Sequence, residues 1–402
     1  MLTNSRILPA AILLVFLVSV FSISGTAADP EADAVAQTIV QLRSHDANGM
    51  DVSPQVQTLL TQIKQRIRAL VLSELNRSST AAPLDTASAR VNIVSRLRSA
   101  GVRIGPVPIP TGSPSPSDYV KPAFGHIEEI SLSVPANNPG LVLSLIKFEL
   151  PCGSDFSLSG FSKANDQWNT SFVREENDYS SVTGAIGELT FQVSVPNQTN
   201  DFLVVSAAVG ACTQPTPISF TLSAIKVMSQ SGLSSELFKT TDPQRVQTAL
   251  STRASISTEP DSFEIGFQVA KFLERGQPSR RRTIRFVARD GSLVQTAPRI
   301  VDNDRLVEFV DEWMALPLNQ ASPWVSGIAG SIIACRHDVI RRRAETAATP
   351  QFLGLTPSCS PGRQIMAVGF AGLSDTFYIS IGLKDGVGTI LGVNTTRPNC
   401  NP

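Results

Sequence analysis

Short runs of alternating apolar and polar residues follow one another between residues 134 and 227. Such alternation places successive side chains on opposite faces of a strand, so each run predicts a strand with one buried face. The runs lie at residues 141–146, 156–161, 189–195, 202–209 and 218–222. Turn residues separate them, and no long helical period interrupts them. We therefore predict an antiparallel β-sandwich domain over residues 123–229.

The first part of the chain has a helical period instead. Between residues 30 and 102, apolar residues recur at spacings of three and four. Ser53 and Pro54 form a helix start signal, with the serine as cap and the proline in the first turn. These features predict a helical segment over residues 29–104. A Pro/Ser-rich linker follows over residues 105–122, and its alternating prolines favour extended geometry. We expect the helices to lie outside the sandwich core.

The last part of the chain combines segments with the alternation of strands and segments with the spacing of helices. One or two short helices are predicted over residues 234–252, and further helices at residues 305–316 and 323–347. The predicted strands lie at residues 263–269, 283–289, 293–297, 365–370, 376–383 and 388–393. Asp290 and Gly291 separate two of these strands, and Asp-Gly is a strong hairpin signal. Strands before and after central helices favour helices packed on one antiparallel sheet, so we predict an α+β domain over residues 230–402. The whole chain is then multi-domain and mainly β.

An export signal is predicted over residues 1–28. Arg6 supplies a positive charge, residues 7–23 are mostly apolar, and small residues lead to a cleavage point after Ala27 or Ala28. An uncleaved membrane anchor is the alternative, but the apolar run is near the lower length limit for a span. We expect an exported protein, whether secreted, periplasmic or on the cell surface, with no membrane span after signal cleavage.

The charge of the chain is balanced. Its 402 residues include 34 basic and 34 acidic side chains, so there is no electrostatic bias towards nucleic acid, and no nucleic-acid partner is expected. The sequence has no Gly-x-Ser-x-Gly elbow, no His-Glu-x-x-His zinc motif and no glycine-rich phosphate loop. We expect no cofactor and no metal site, and the sequence assigns no catalytic residue.

Five cysteines leave one thiol without a partner. Cys152 precedes the second predicted strand and Cys212 follows the fourth, so a disulfide between them would close the domain. Two buried free thiols are the alternative, and the export signal favours the bridge. A bridge between Cys359 and Cys400 would tie the C-terminal tail to its domain. Cys335 then stays unpaired in an apolar helical run, where we expect a buried thiol.

Several short segments carry a resemblance. They lie at residues 151–155, 181–187, 211–212, 309–314 and 321–324, and around Cys359 and Cys400. With these segments the chain resembles secreted bacterial proteins of no assigned function, from about Cys152 onward. The resemblance implies that the two cysteine pairs belong to the framework and that Cys335 does not. It implies no activity, because none is attached to the family.

Two sets of residues are candidates for ligand contact. His126 and Glu128 stand two apart in an extended segment, so their side chains share a face and could begin a metal site or an acid–base pair. An exposed polar edge is the commoner arrangement. Asp311 and Glu312 beside Trp313 could form an acid–aromatic sugar site. We expect instead that Trp313 completes the apolar stripe of its helix and that both carboxylates face solvent.

Two other polar clusters are expected to be solvated. Lys64, Arg66 and Arg68 lie on the second predicted helix, where a solvated basic face is commoner than a partner-binding surface. Residues 336–338, Arg-His-Asp, are adjacent on a helix, so they do not face each other, and we expect a surface cluster.

Three functions stay open. The first is a non-catalytic binding or accessory protein with a protein or glycan partner. The second is an exported hydrolase of glycans or peptides that uses His126, Glu128 or the Asp311–Glu312 pair. The third is a structural envelope component that self-associates through its N-terminal helices. The absence of catalytic motifs and the small number of histidines favour the first.

Overall fold

The computed structural model describes most of the chain between residues 29 and 398. The described residues are 29–45, 52–78, 84–105, 126–150, 153–179, 185–211, 218–228, 233–239, 246–249, 252–269, 280–289, 292–300, 302–326, 330–346, 350–358 and 360–398. The predicted signal peptide, most of the predicted linker, and Cys152, Cys212, Cys359 and Cys400 lie outside them, so both disulfides stay predictions. None of the described helices is long and apolar enough to cross a membrane.

Three helices form the N-terminal segment, as the apolar spacing predicts. They are α1 (Pro30–Arg43), α2 (Pro54–Arg77) and α3 (Thr86–Ser99). Asp29, Ser53 and Asp85 cap them, because each side chain accepts a hydrogen bond from a backbone N–H of the first turn. The start signal at Ser53 and Pro54 is confirmed.

The first sheet has four antiparallel strands in the order β1-β2-β3-β4. They are β1 (Ile127–Ser133), β2 (Leu141–Leu150), β3 (Gly153–Ala164) and β4 (Gln167–Glu175). The three helices pack on this sheet, where Ile67 of α2 and Ile93 of α3 join Val142 and Phe148 of β2 in one buried cluster. The helices therefore cover one face of this sheet and lie outside the separate buried cluster on its other face. Both faces of β2 are apolar, so each needs a cover.

The second sheet has nine strands. They are β5 (Ile186–Val193), β6 (Phe202–Gly210), β7 (Ile218–Met228), β8 (Leu233–Lys239), β9 (Val246–Ala249), β10 (Ser255–Glu259), β11 (Ser262–Val269), β12 (Arg280–Arg289) and β13 (Ser292–Thr296). Their order is β13-β12-β11-β9-β7-β6-β5, with β8 paired to β7 and β10 to β11. The helical prediction for residues 234–252 is wrong, because β8 and β9 pair with the two halves of β7. Backbone pairing along this strand outweighs the local helical spacing.

β6 lies between two apolar clusters. Phe202 and Val204 pack with Leu143 of the first sheet, whereas Leu203 and Val205 pack with Phe263 of β11. Alternate residues of β6 therefore enter different cores, as the period of a strand dictates. One side of β6 and its neighbours contacts the first sheet. The other side packs against β11 and β12 of the same sheet, and these strands together enclose a separate core.

The C-terminal unit follows β13 and packs helices against a third sheet. Its elements are α4 (Asn303–Ala315), α5 (Leu318–Ala321), a 3₁₀ turn (Ser322–Trp324), α6 (Gly330–Thr346), β14 (Pro350–Pro357), β15 (Arg363–Phe370), β16 (Thr376–Lys384) and β17 (Val387–Asn394). The strand order is β14-β15-β16-β17. Asp385 and Gly386 both have positive φ, as a two-residue hairpin turn between β16 and β17 requires. The boundary predicted at residue 230 falls inside the second sheet, so this unit is shorter than the predicted α+β domain.

Cys335 lies on the outer side of α6. It is exposed and free, so the predicted burial is wrong. The buried side chains of α6 include Ile333, His337 and Ile340, whose spacing of four and three defines the inner face of the helix. Position 335 points away from that face.

Candidate functional site

α4 carries Trp313 into the core of the C-terminal unit. Leu306, Phe309 and Val310 lie on the same side of the helix as Trp313, and together they pack against the third sheet. Asp302 caps the helix at its N-terminus. Trp313 itself has no exposed surface.

α6 places His337 against Trp313. The Nε2 atom of His337 lies 2.9 Å from the main-chain oxygen of Trp313, and the two rings meet edge to face with centroids 4.7 Å apart. His337 is 1% exposed, so the surface cluster predicted at residues 336–338 is wrong for this side chain. Its helical spacing from Ile333 and Ile340 is the sequence signal that reveals its burial.

Trp313 and His337 line a cavity of about 100 Å³. Its other described lining residues are mostly apolar: Leu318, Ala321, Ser322, Val325, Ile333 and Ala334. One water takes up about 30 Å³ in the liquid, and an engineered apolar protein cavity of about 150 Å³ admits benzene. The space, here called the Trp313–His337 cavity, is therefore larger than one water needs and approaches the size of a small ring.

Two buried nitrogen atoms of residues that line this cavity lack a partner among the described residues. Nε1 of Trp313 and Nδ1 of His337 make no hydrogen bond within the described part of the chain. An unpaired buried polar group costs about 1–3 kcal/mol, and native proteins keep few of them. Because both residues line one cavity, a single bound molecule with suitable polar groups would remove this cost.

The hydrogen bond to Trp313 assigns the roles of the His337 nitrogens. A carbonyl oxygen only accepts, so Nε2 carries the proton and donates it. Burial lowers the pKa of His337, the hydrogen bond to Trp313 opposes that shift, and the charge of Arg341 adds to it. The ring is neutral near pH 7, which leaves Nδ1 as an acceptor. The two lining residues thus hold one buried acceptor, at His337, and one buried donor, at Trp313, that no described group satisfies.

Acidification is expected to destabilise the C-terminal unit through His337. Its folded pKa lies below the ordinary value of 6.5, so on acidification the unfolded chain binds the proton first. The free energy of unfolding therefore falls as the pH drops from about 6.5 through the folded pKa. His337→Gln should flatten this part of the profile, and His45→Gln, which changes a histidine beyond the end of α1, is the matched control. Urea unfolding across this pH range measures both, and a His337→Gln profile equal to that of the parent would contradict the assignment.

The carboxylates beside Trp313 do not face solvent. Asp311 and Glu312 are 2% and 5% exposed, so the expectation of solvated carboxylates is wrong. The Oε1 atom of Glu312 forms an ion pair with Nε of Arg282 on β12 at 2.6 Å. α4 contacts both the third sheet and β12, which covers two sides of the helix. Glu312 therefore connects two units and does not join Trp313 in a sugar site.

The other candidate pair lies at the start of β1. His126 is buried, with Nε2 2.6 Å from the main-chain oxygen of Gly105, so the expected exposed edge is wrong for this side chain. Glu128 sits at a bulge of β1, pairs with Lys147 at 2.5 Å and accepts a hydrogen bond from Ser154. Among the described residues, no group of three or more His, Cys, Asp or Glu side chains could hold a metal ion.

The two predicted candidate sets do not converge. His126 and Glu128 lie at the edge strand of the first sheet, whereas residues 311–313 belong to α4 of the C-terminal unit. Sequence reasoning found Trp313 but missed its neighbour His337.

Comparison with known proteins adds no family to this picture. A scan against protein-family models gives no match, and a search of curated proteins gives none either.

Proposed function

We propose that this protein is an exported, non-catalytic binding module that holds a small uncharged ligand in the Trp313–His337 cavity. The observation that carries the proposal is the pair of unpartnered nitrogens in two residues that line one mostly apolar space. Ligand sites typically combine apolar walls with a few placed polar groups. None of the described lining residues carries a full charge near neutral pH, which favours an uncharged ligand.

We infer that the first and second sheets stack face to face as a β-sandwich, supported by the shared burial of Leu143, Phe172 and Val204. Export rests on the predicted signal peptide, and the resemblance to secreted bacterial proteins agrees with it. In this view the stacked sheets hold the C-terminal unit, with the Arg282–Glu312 ion pair as one connection.

The walls of the cavity define the chemistry of the ligand. It needs an apolar body no larger than a single ring, a donor for Nδ1 of His337 and an acceptor for the N–H of Trp313. Phenol is a minimal probe with all three features, and toluene has nearly the same shape without the hydroxyl. We expect phenol to bind at least about tenfold more tightly than toluene, since its hydroxyl satisfies buried polar atoms.

A larger side chain inside the cavity should prevent the ligand from binding. Ala334 lines the space, so Ala334→Leu places a branched side chain where the ligand would lie. We expect the affinity for phenol to fall by at least about tenfold. Cys335→Leu introduces the same residue at the next, exposed position and should leave the affinity unchanged. Isothermal titration calorimetry on folded samples measures both, and equal affinities for the two variants would contradict the proposed site.

The contacts favour the two other functions less. For a hydrolase, Glu128 and Glu312 are already held in ion pairs, and they lie in different units. For self-association through the helices, the apolar stripe of α2 is buried within the chain's own core. The exposed apolar side chains Val40 and Val91 are single positions on separate helices.

A further inference from the structure

A buried trio of polar side chains joins α2 to the first sheet. Lys64 of α2, Asp155 of β3 and Tyr179, which follows β4, are each at most 1% exposed. The Nζ atom of Lys64 lies 2.6 Å from Oδ2 of Asp155, and the Tyr179 hydroxyl donates a hydrogen bond to the same oxygen. The solvated face predicted for Lys64 is therefore wrong. An amine and a carboxyl group are held together away from bulk water.

Backbone donors hold the second oxygen of the carboxyl group. Oδ1 of Asp155 accepts hydrogen bonds from the main-chain N–H groups of Phe156 at 2.8 Å and Ile186 at 3.1 Å. Two N–H groups directed at one such oxygen stabilise the negative charge that develops when a nucleophile adds to the carbon, as in an oxyanion hole. The carboxyl group thus has one stabilised oxygen and one oxygen in contact with both the amine and the phenol.

Lys64 and Tyr179 both contact Oδ2 of Asp155, which joins them in one chain of polar groups. The Nζ atom also donates a hydrogen bond to the main-chain oxygen of Glu176 at 2.8 Å and lies 4.9 Å from the centre of the Tyr179 ring. Burial, reinforced by the charge of Asp155, raises the pKa of Tyr179 well above its ordinary value, so the phenol keeps its proton. Water exclusion also makes a buried ion pair expensive relative to uncharged products.

We propose that Lys64 and Asp155 condense to an isopeptide bond that links α2 covalently to β3. The ammonium first gives a proton to the carboxylate, which leaves a neutral amine and a carboxylic acid. Nζ then attacks Cγ, while the N–H groups of Phe156 and Ile186 hold the charge on Oδ1. Tyr179 passes its proton to the departing Oδ2 hydroxyl as it takes one from Nζ, so the phenol is never left deprotonated. The Nζ–Cγ bond forms, the Cγ–Oδ2 bond breaks and one water leaves, so no other reactant is needed.

The link goes beyond the proposed binding function and does not depend on it. It fixes the helical segment to the first sheet, in a different part of the chain from the Trp313–His337 cavity. An amide also survives reducing agents, which a disulfide does not. Such a bond suits a chain that works outside the cell, where it cannot be replaced easily.

Mass spectrometry of the full exported chain, reduced and denatured, tests the bond. We expect an intact mass lower by one water than the mature sequence requires, and a proteolytic fragment that joins the peptide of Lys64 to the peptide of Asp155. Lys64→Arg keeps the positive charge but cannot form this amide, so it should show the full mass. A full mass with two separate peptides in the parent protein would overturn the proposal, whether or not the variant folds.

Two further variants separate the chemistry from folding. Tyr179→Phe keeps the ring and removes the hydroxyl, so the linked fraction at equal times should fall by at least about tenfold. Lys147→Arg changes a half-exposed ion pair with Glu128 and should link as the parent does. Circular dichroism confirms that each variant is folded. Linking of folded Tyr179→Phe at the parental rate would overturn the proton-transfer role assigned to the hydroxyl.

Discussion

Replacing Trp313 with alanine is expected to lower the free energy of unfolding of the C-terminal unit by about 3–5 kcal/mol. The indole has no exposed surface and packs edge to face on His337. Its removal would enlarge a cavity that already exists, so neighbouring side chains would have little means of closing the space. Urea unfolding followed by far-ultraviolet circular dichroism measures the loss.

Two matched variants show whether the lost volume is the cause. Trp313→Phe keeps an aromatic ring and removes an N–H with no described partner, so it should lose clearly less stability than Trp313→Ala. Leu353→Ala changes an exposed residue of β14 and should alter the free energy of unfolding by no more than about 0.5 kcal/mol. A loss for Trp313→Ala as small as that for Leu353→Ala would contradict its place in the core.

Replacing Asp155 with alanine is expected to cost about 3–5 kcal/mol in the N-terminal half of the chain. The ammonium of Lys64 would stay buried without its countercharge. The hydroxyl of Tyr179 and the N–H of Ile186 would each lose an acceptor in a buried region. This loss is expected for the ion pair alone, and the loss of an isopeptide bond would add to it.

Urea unfolding also measures the loss of stability expected for Asp155→Ala. Chains with several units often unfold in more than one step, so each transition is fitted separately. The transition of the N-terminal half should move, while that of the C-terminal unit stays in place. Asp261→Ala removes an exposed carboxylate from the second sheet and should shift neither by more than about 0.5 kcal/mol. Equal effects for Asp155→Ala and Asp261→Ala would contradict the buried trio.

The strands and helices of this fold can be predicted from the local sequence pattern more readily than the elements that they pack against. Alternation predicts β6 as a strand, because side-chain direction is a local property of the backbone. It does not reveal that Val204 and Val205 enter different cores, since that depends on sheets assembled from distant parts of the chain. The strands β8 and β9 were missed for the same reason, because only the open edge of β7 makes them strands.

Charged residues in the interior were the least predictable from sequence. A lysine or glutamate on a helix is normally solvated, so Lys64 and Glu312 carry no local sign of burial. Their partners, Asp155 and Arg282, come from other elements that only the tertiary fold brings near. His337 differs, because its spacing within α6 already places it on the apolar stripe.

The indole N–H signals of the isotope-labelled protein in nuclear magnetic resonance spectra test the proposed binding site most directly. The chain has three tryptophans, and Trp313→Phe identifies one signal by its disappearance. Added phenol should shift the Trp313 signal in a saturable way and leave the Trp168 signal, from the first sheet, unchanged. Ala334→Leu should abolish the shift. A Trp313 signal that does not move when phenol is added in excess would contradict the claim that the Trp313–His337 cavity binds a ligand.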